Sequence, residues 1–467
     1  MRSRELTVDL ETNERMSKRL WLLGLVGLVL IGLLLACGSN YNSSSNGLVL
    51  VGSQGSSVIQ TYSFDLNSGH VSAIGNSTND TGNKQCILNG LPGSMVMQPG
   101  GSYAFVIMIN SSLCANSPPT GIATFQVKSD GTLSQVGSLL TLTAATVVIT
   151  GAAPPDNTES VDVAPDALSV DAAGKFLFVA NRATSDSSGN HVPGSVSVLS
   201  IGGGGSLTEV SGSPFFTLSP AATAGQVTDD FVGVTATPTV FPGTGINGTQ
   251  NTVCSVGTNP PTSQFLYAVD TVGYQVREFQ VDTSSGVLSP PTGLTAVPSF
   301  STDAVPAGIA IDPCDRFVYV SGSLHKKISA YTICTAAVSV GPCLAADGML
   351  VEVSGSPFSM SGSISSAGPI IVDPFGNYVF VVGSFSNTLS GFKISPVSGS
   401  VTAVSAATVA TGAQPKSIVM RADGNWIFVT NYGAHTMSQY SMTPATGALS
   451  VLPTVDTDDY PFGVAVK

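Results

Sequence analysis

The chain has 467 residues, a net charge of −12 and only 10% charged side chains. That length holds two or three average domains or one large repeat architecture. Low charge, 51 glycines and 28 prolines argue against a coiled coil or an acidic disordered chain, and suit short strands joined by tight turns.

The amino-terminus carries the first informative segment. Leu20 to Leu35, LWLLGLVGLVLIGLLL, is an apolar run preceded by Lys18 and Arg19. It is short for a spanning helix and suits the core of a secretory signal. The run ends in Leu34-Leu35-Ala36-Cys37, which resembles a bacterial lipobox. That resemblance implies cleavage before Cys37 and a diacylglyceryl thioether on its sulfur; an uncleaved membrane anchor is the other reading. Met16 opens a more usual signal, MSKRLW, so either Met1 or Met16 is the start. The expected organisation is a signal peptide over 1–36, a flexible tether over 37–46 and one domain over 47–467.

Residues 1–36 hold five basic and four acidic groups, which leaves 12 basic and 25 acidic groups beyond them, a net of −13. Such a chain does not attract nucleic acid and is repelled by an anionic bilayer, so membrane contact is expected through the lipid alone. The expected location is the bacterial cell envelope, and the expected state a monomer.

An apolar hexad recurs along 47–467. It reads GLVLVG ending at Gly52, YAFVIM (103–108), FLFVAN (176–181), FLYAVD (265–270), FVYVSG (317–322), YVFVVG (378–383) and WIFVTN (426–431). Each is apolar enough to be a strand buried on both faces. Most follow a tight turn such as DAAGK, DPFGN or RADGN, where Asp, Pro and Gly supply the required dihedrals. An alternating strand follows each hexad, as in SVSVLSI (195–201), QVREFQV (275–281) and TMSQYSM (436–442); a Gly turn such as DGTL or SGSV then opens a fourth strand. Short strands such as 308–312, 369–373 and 417–421 precede the hexads. Four antiparallel strands per unit in seven units predict an all-β, seven-bladed β-propeller, with an open β-solenoid as the other architecture. The first unit lacks an inner strand of its own. FGVAVK (462–467) is therefore expected to close the ring as that strand and to remove an open edge.

Cys37 apart, six cysteines remain: Cys86, Cys114, Cys254, Cys314, Cys334 and Cys343. An even number in an exported chain suggests disulfides, and pairings 86–114, 254–314 and 334–343 agree with the face of the propeller on which each falls. No C-x-x-C pair occurs, so no metal site is expected, and no cofactor.

Blade-to-blade loops and the turns after the hexads share one face, the usual binding face. Candidates there are Asn181, Arg182, Asp270, His325, Asn431, Tyr432 and His435, with Lys416 and several acidic residues in the connecting loops. A His or carboxylate among them could serve as general base, with an Arg holding an anionic group. Asn at a strand end also makes turns, and a His in a tight loop is also simply solvated.

The blade motif, with its P-x-x-I/V-x-D-P-x-G start, resembles the seven-bladed lactonase family, which includes 6-phosphogluconolactonase-like and carboxymuconate-cyclase-like proteins. SVDAAGKFLFVANR (169–182) is similar to the family's strand ending in Asn-Arg. The resemblance implies that Asn181 and Arg182 point to the site, that Arg182 grips an acid group, and that Pro415-Lys416 stands where the family has Pro-Arg. A Gly-His turn of the family is replaced by ATSDSSGNHVPG, in which His191 stands in. The function implied is opening of a small lactone, with His191 or His435 activating water. The competing expectation is a non-catalytic envelope module that binds a carbohydrate, peptide or protein.

Overall fold

The computed structural model describes residues 46–74, 91–110, 120–149, 158–217, 221–222, 229–237, 263–334, 347–360 and 365–467. The proposed signal, most of the tether, Cys37, Cys86, Cys114, Cys254 and Cys343 lie outside these. Cys314 and Cys334 are each disulfide-bonded. Among the described residues no helix is long and apolar enough to cross a membrane.

Gly47–Lys467 form one compact unit of seven antiparallel blades. Blade seven is representative: Pro415–Met420 is innermost, followed outward by Trp426–Asn431, Thr436–Thr443 and Ala448–Val451. The inner strands of blades two to six are Leu91–Met97, Ala164–Val170, Phe231–Ala236, Pro306–Ile311 and Ala367–Val372. Each packs against the next around a closed ring. Blade one is closed by Pro461–Val466, which pairs antiparallel with Asn46–Ser53, Leu50 opposite Ala465. That pairing covers the edge which the amino-terminal strand would otherwise present to solvent.

The hexads are buried because each lies between two neighbouring blades. One core cluster joins Phe178 and Val196 of blade three to Leu266 and Phe279 of blade four. Burying one such Phe contributes roughly 1.5–3 kcal/mol. The first residue of the hexad has a second task. In blades three to seven the glycine of the third-to-fourth-strand turn sits on the opening side chain of the preceding blade's second strand: Gly205 on Tyr103, Gly286 on Phe176, Gly348 on Phe265, Gly399 on Phe317 and Gly447 on Tyr378. At Gly399 φ is +74°, and a Cβ would stand 2.5 Å from Phe317. The turn thus needs glycine twice, for its left-handed backbone and for the approach of the ring.

The long insertions around blade three form structure of their own. Ala145–Ile149 pairs with Thr158–Val161 and, in parallel, with Ala221–Ala222, while Thr184–Ser185 and His191–Val192 make a small hairpin.

A break in register recurs near the start of the inner strands. Between Pro165 and Ala167, Pro306 and Gly308, and Pro415 and Ser417, one extra residue bulges out; opposite Gly52 and Ser53 the extra residue is Phe462. Proline suits that point, since it has no N–H to give to an interrupted ladder. Bulges re-aim side chains. Here they set Asp166, Ala307, Lys416 and Phe462 around the mouth of the channel, on the face of the blade-to-blade loops.

Candidate functional site at the channel mouth

Arg182 ends the second strand of blade three. Its Nε and Nη2 donate to the two oxygens of Asp230, at 3.2 and 2.8 Å. Asp230 also accepts from the Ala183 N–H at 3.0 Å and from the Thr271 hydroxyl at 2.8 Å. Burial opposes ionisation of Asp230, but these hydrogen bonds outweigh it and hold the carboxyl below the usual range. The Arg182 side chain remains 48% exposed, which leaves guanidinium N–H groups not given to Asp230 for a ligand.

Asp166, on the bulge of the same blade, faces this pair. Burial pushes its carboxyl up, the Arg182 charge pulls it down, and Asp230 adds to the rise. The result is a carboxylate made more basic than usual beside a half-exposed cation. Behind them lies a rigid acidic frame. Asp270 is fully buried; it accepts from the Asp230 N–H at 2.9 Å, the Val272 N–H at 3.0 Å and Gln275 Nε2 at 2.8 Å. Asp229 pairs with Arg277 at 2.7 Å and accepts from the Thr217 hydroxyl. Asp270 thus shapes the loop that presents Asp230.

Asn181 and Asn431 occupy the same place in blades three and seven, and both are buried. Asn181 Nδ2 donates to Ser195 and Ser197, and Asn431 Nδ2 to Thr436 and Ser438. Each staples its second strand to its third. His191 lies in the small hairpin opposite Ser185, half-buried. His325 pairs through Nδ1 with Asp303 at 2.9 Å and is 56% exposed. His435 pairs with Asp459 at 2.8 Å and contacts the Tyr460 ring, in a group with Tyr432 and Lys416. That group belongs to blade seven and its junction with blade one, across the ring from Arg182.

The structure therefore gathers Arg182, Asp230 and Asp166 at one side of the mouth, and His435, Tyr432 and Lys416 at the other. Sequence reasoning missed Asp166. The signal was present: Pro165-Asp166 stands in the repeat where Pro415-Lys416 does, and Lys416 was noticed while its counterpart was not. A separate cavity of about 640 Å³ lies among the inner strands of blades two, seven and one, walled in part by Met95, Met97, Val419 and Val466. It reaches the turns of the opposite face, 98–101 and 421–423, and holds none of these groups.

The family model described as Lactonase, 7-bladed beta-propeller matches residues 347–466, from the last strand of blade five to the closing strand. This chain is a seven-bladed β-propeller whose last two blades match the lactonase family model. Its fold is similar to that of a Bacteroides fragilis protein inferred to be a 6-phosphogluconolactonase, with TM-score 0.61 and 18% identity over 92% of this chain and 100% of that one. It is equally similar to the periplasmic gluconolactonase PpgL of Pseudomonas aeruginosa, with TM-score 0.61 and 18% identity over 90% and 99% of the two chains. At that identity the likeness is one of fold. No curated protein matches the chain. The match to the lactonase family model thus lies in blades six and seven of the propeller, while the cation–carboxylate group sits in blades three and four.

Proposed function

We propose that the protein opens a small lactone at the channel mouth, with Arg182 and Asp166 as the working pair. The observation that carries this reading is the bulged, partly buried Asp166 beside an Arg that is locked by Asp230 and keeps guanidinium N–H groups not given to it. Arg182 would donate to the carbonyl oxygen or an acid group of the substrate, stabilising the charge that develops as water adds. Asp166 would take the proton of the attacking water and return it to the ring oxygen as the C–O bond breaks. Neither step needs a histidine. His191 and His435 would then shape access and binding, as would Lys416, the other bulged charge.

The lactonase-like fold supports this chemistry, and the apolar run ending in Cys37 supports an exported, lipid-anchored form in the cell envelope. The periplasmic location printed for the Pseudomonas neighbour agrees with it. A phosphorylated cytoplasmic sugar is a poor fit to that location.

The test is a panel of aldono- and aliphatic lactones followed by acid release, with wild type, Arg182→Ala and Asp166→Asn. We expect turnover of at least one lactone by wild type, a loss of about a hundredfold or more in kcat for Asp166→Asn, and a raised KM for Arg182→Ala. Equal rates in all three proteins, or no lactone opened by wild type, would refute the proposal.

A further inference from the structure

We propose that the junction of blades seven and one is a carbohydrate-binding platform on which a pyranose ring stacks. The inference is independent of the hydrolytic reading. Tyr432 and Tyr460 have ring centroids 5.0 Å apart, His435 stands 4.5 Å from Tyr460, and Phe462 meets Tyr432 edge-on at 6.4 Å. These rings pack on one another and take no part in the buried core clusters. Tyr460 is 42% exposed, so part of its ring face is open to a ligand.

The other blades serve as an internal control, because they fold with other residues at the same positions. After the second strand, where blade seven has Tyr432, blades five and six have Ser323 and Ser384. Immediately before the inner strand, where Tyr460 stands, other blades have Val305, Ser366 and Gln414. On the bulge, Phe462 corresponds to Ala307 and Lys416. Only at this junction are all three positions aromatic. The scaffold does not require rings there: Val305, Ser366 and Gln414 adopt the same left-handed backbone, φ +54°, +52° and +51°, that Tyr460 adopts at +56°.

The polar groups around the rings complete the match. Lys416 is exposed, with its ammonium 5.8 Å from the Tyr432 centroid. Asp459 is 67% exposed and gives one oxygen to His435, which leaves the other for a ligand. A pyranose presents an axial C–H face that suits an electron-rich ring and a rim of hydroxyls that suits an ammonium, a carboxylate and phenols. A purely apolar ligand would leave those groups without a role.

Saturation-transfer NMR with maltotetraose, cellotetraose and chitotetraose reads this directly, since it reports contact and not turnover. We expect wild type to saturate the ring C–H protons of at least one glycan. Tyr432→Ala and Tyr460→Asn should each weaken its titrated affinity by about tenfold, the worth of one aromatic contact. Asn suits the left-handed backbone at 460, so that variant keeps the loop. Phe385→Ser, an exposed ring in the corresponding loop of blade six, should leave affinity unchanged. No transfer to any of the three glycans, or affinity unaltered in both tyrosine variants, would overturn the proposal. A chain that fails to open lactones but binds a glycan would lose the hydrolytic reading and keep this one.

Discussion

Glu278 shows how far a single residue can set solution behaviour. It lies on the third strand of blade four, fully buried, across from Tyr267. Neither of its carboxyl oxygens finds a hydrogen-bond partner. Burial first, and the charge of Asp347 second, push its carboxyl up to about 8 from 4.5. The folded state therefore keeps a proton that the unfolded state releases, so stability falls as pH rises from about 4.5 to about 8. A shift of that size is worth up to about 5 kcal/mol. Glu278→Gln should raise the urea midpoint at pH 8 and flatten its decline from pH 5 upward, with little change at the acid end. Parallel pH profiles for the two proteins would show that the carboxyl is hydrated after all. In the sequence, Glu278 looked like one polar residue of an alternating strand, because burial by a neighbouring blade has no local signature.

At the scale of the element, the repeat is an account of contacts between blades. Turns of the kind DGTL and SGSV read from sequence as strand openers. In blades three to seven the glycines of these turns are also seats for an aromatic residue of the preceding blade, as Gly399 is for Phe317 and Gly447 for Tyr378, whereas Gly131 of DGTL meets Ile74. A Cβ at 399 would force Phe317 aside and hold an alanine in the left-handed region. Gly399→Ala is thus expected to cost about 1–3 kcal/mol in chemical denaturation, whereas Gly137→Ala, with no heavy atom within 4 Å of a Cβ, should lose only the backbone part. Equal losses at the two sites would mean that the ring contact carries no weight. The proline-marked bulges follow the same logic: Pro165 and Pro415 were visible in the sequence, but the turning of Asp166 and Lys416 to the mouth follows from a ladder register that only the paired strands define.

For the whole molecule, ring closure by Pro461–Val466 ties the two ends of the domain into one blade, so the amino-terminal segment leaves from blade one. The envelope placement proposed above has a direct check. Cys37→Ser should move the protein from the membrane fraction to the soluble fraction of the envelope and abolish labelling by a fatty-acid analogue; retention of the label would place the lipid elsewhere. The sequence by itself determined seven blades, four strands each and the closing strand, because strand period, turn chemistry and a repeated hexad are local properties summed seven times. Asn181, Arg182, Tyr432 and His435 were also legible as residues at strand ends. Only the tertiary structure decided which of them share a site. It buried Asn181 and Asn431 as staples, spent Asp270 on a loop, joined Arg182 to Asp230 and Asp166, and set Tyr460 and Phe462 beside Tyr432. Those pairings bring together residues from different blades, and the distance between blades is set by packing around the ring and not by spacing along the chain.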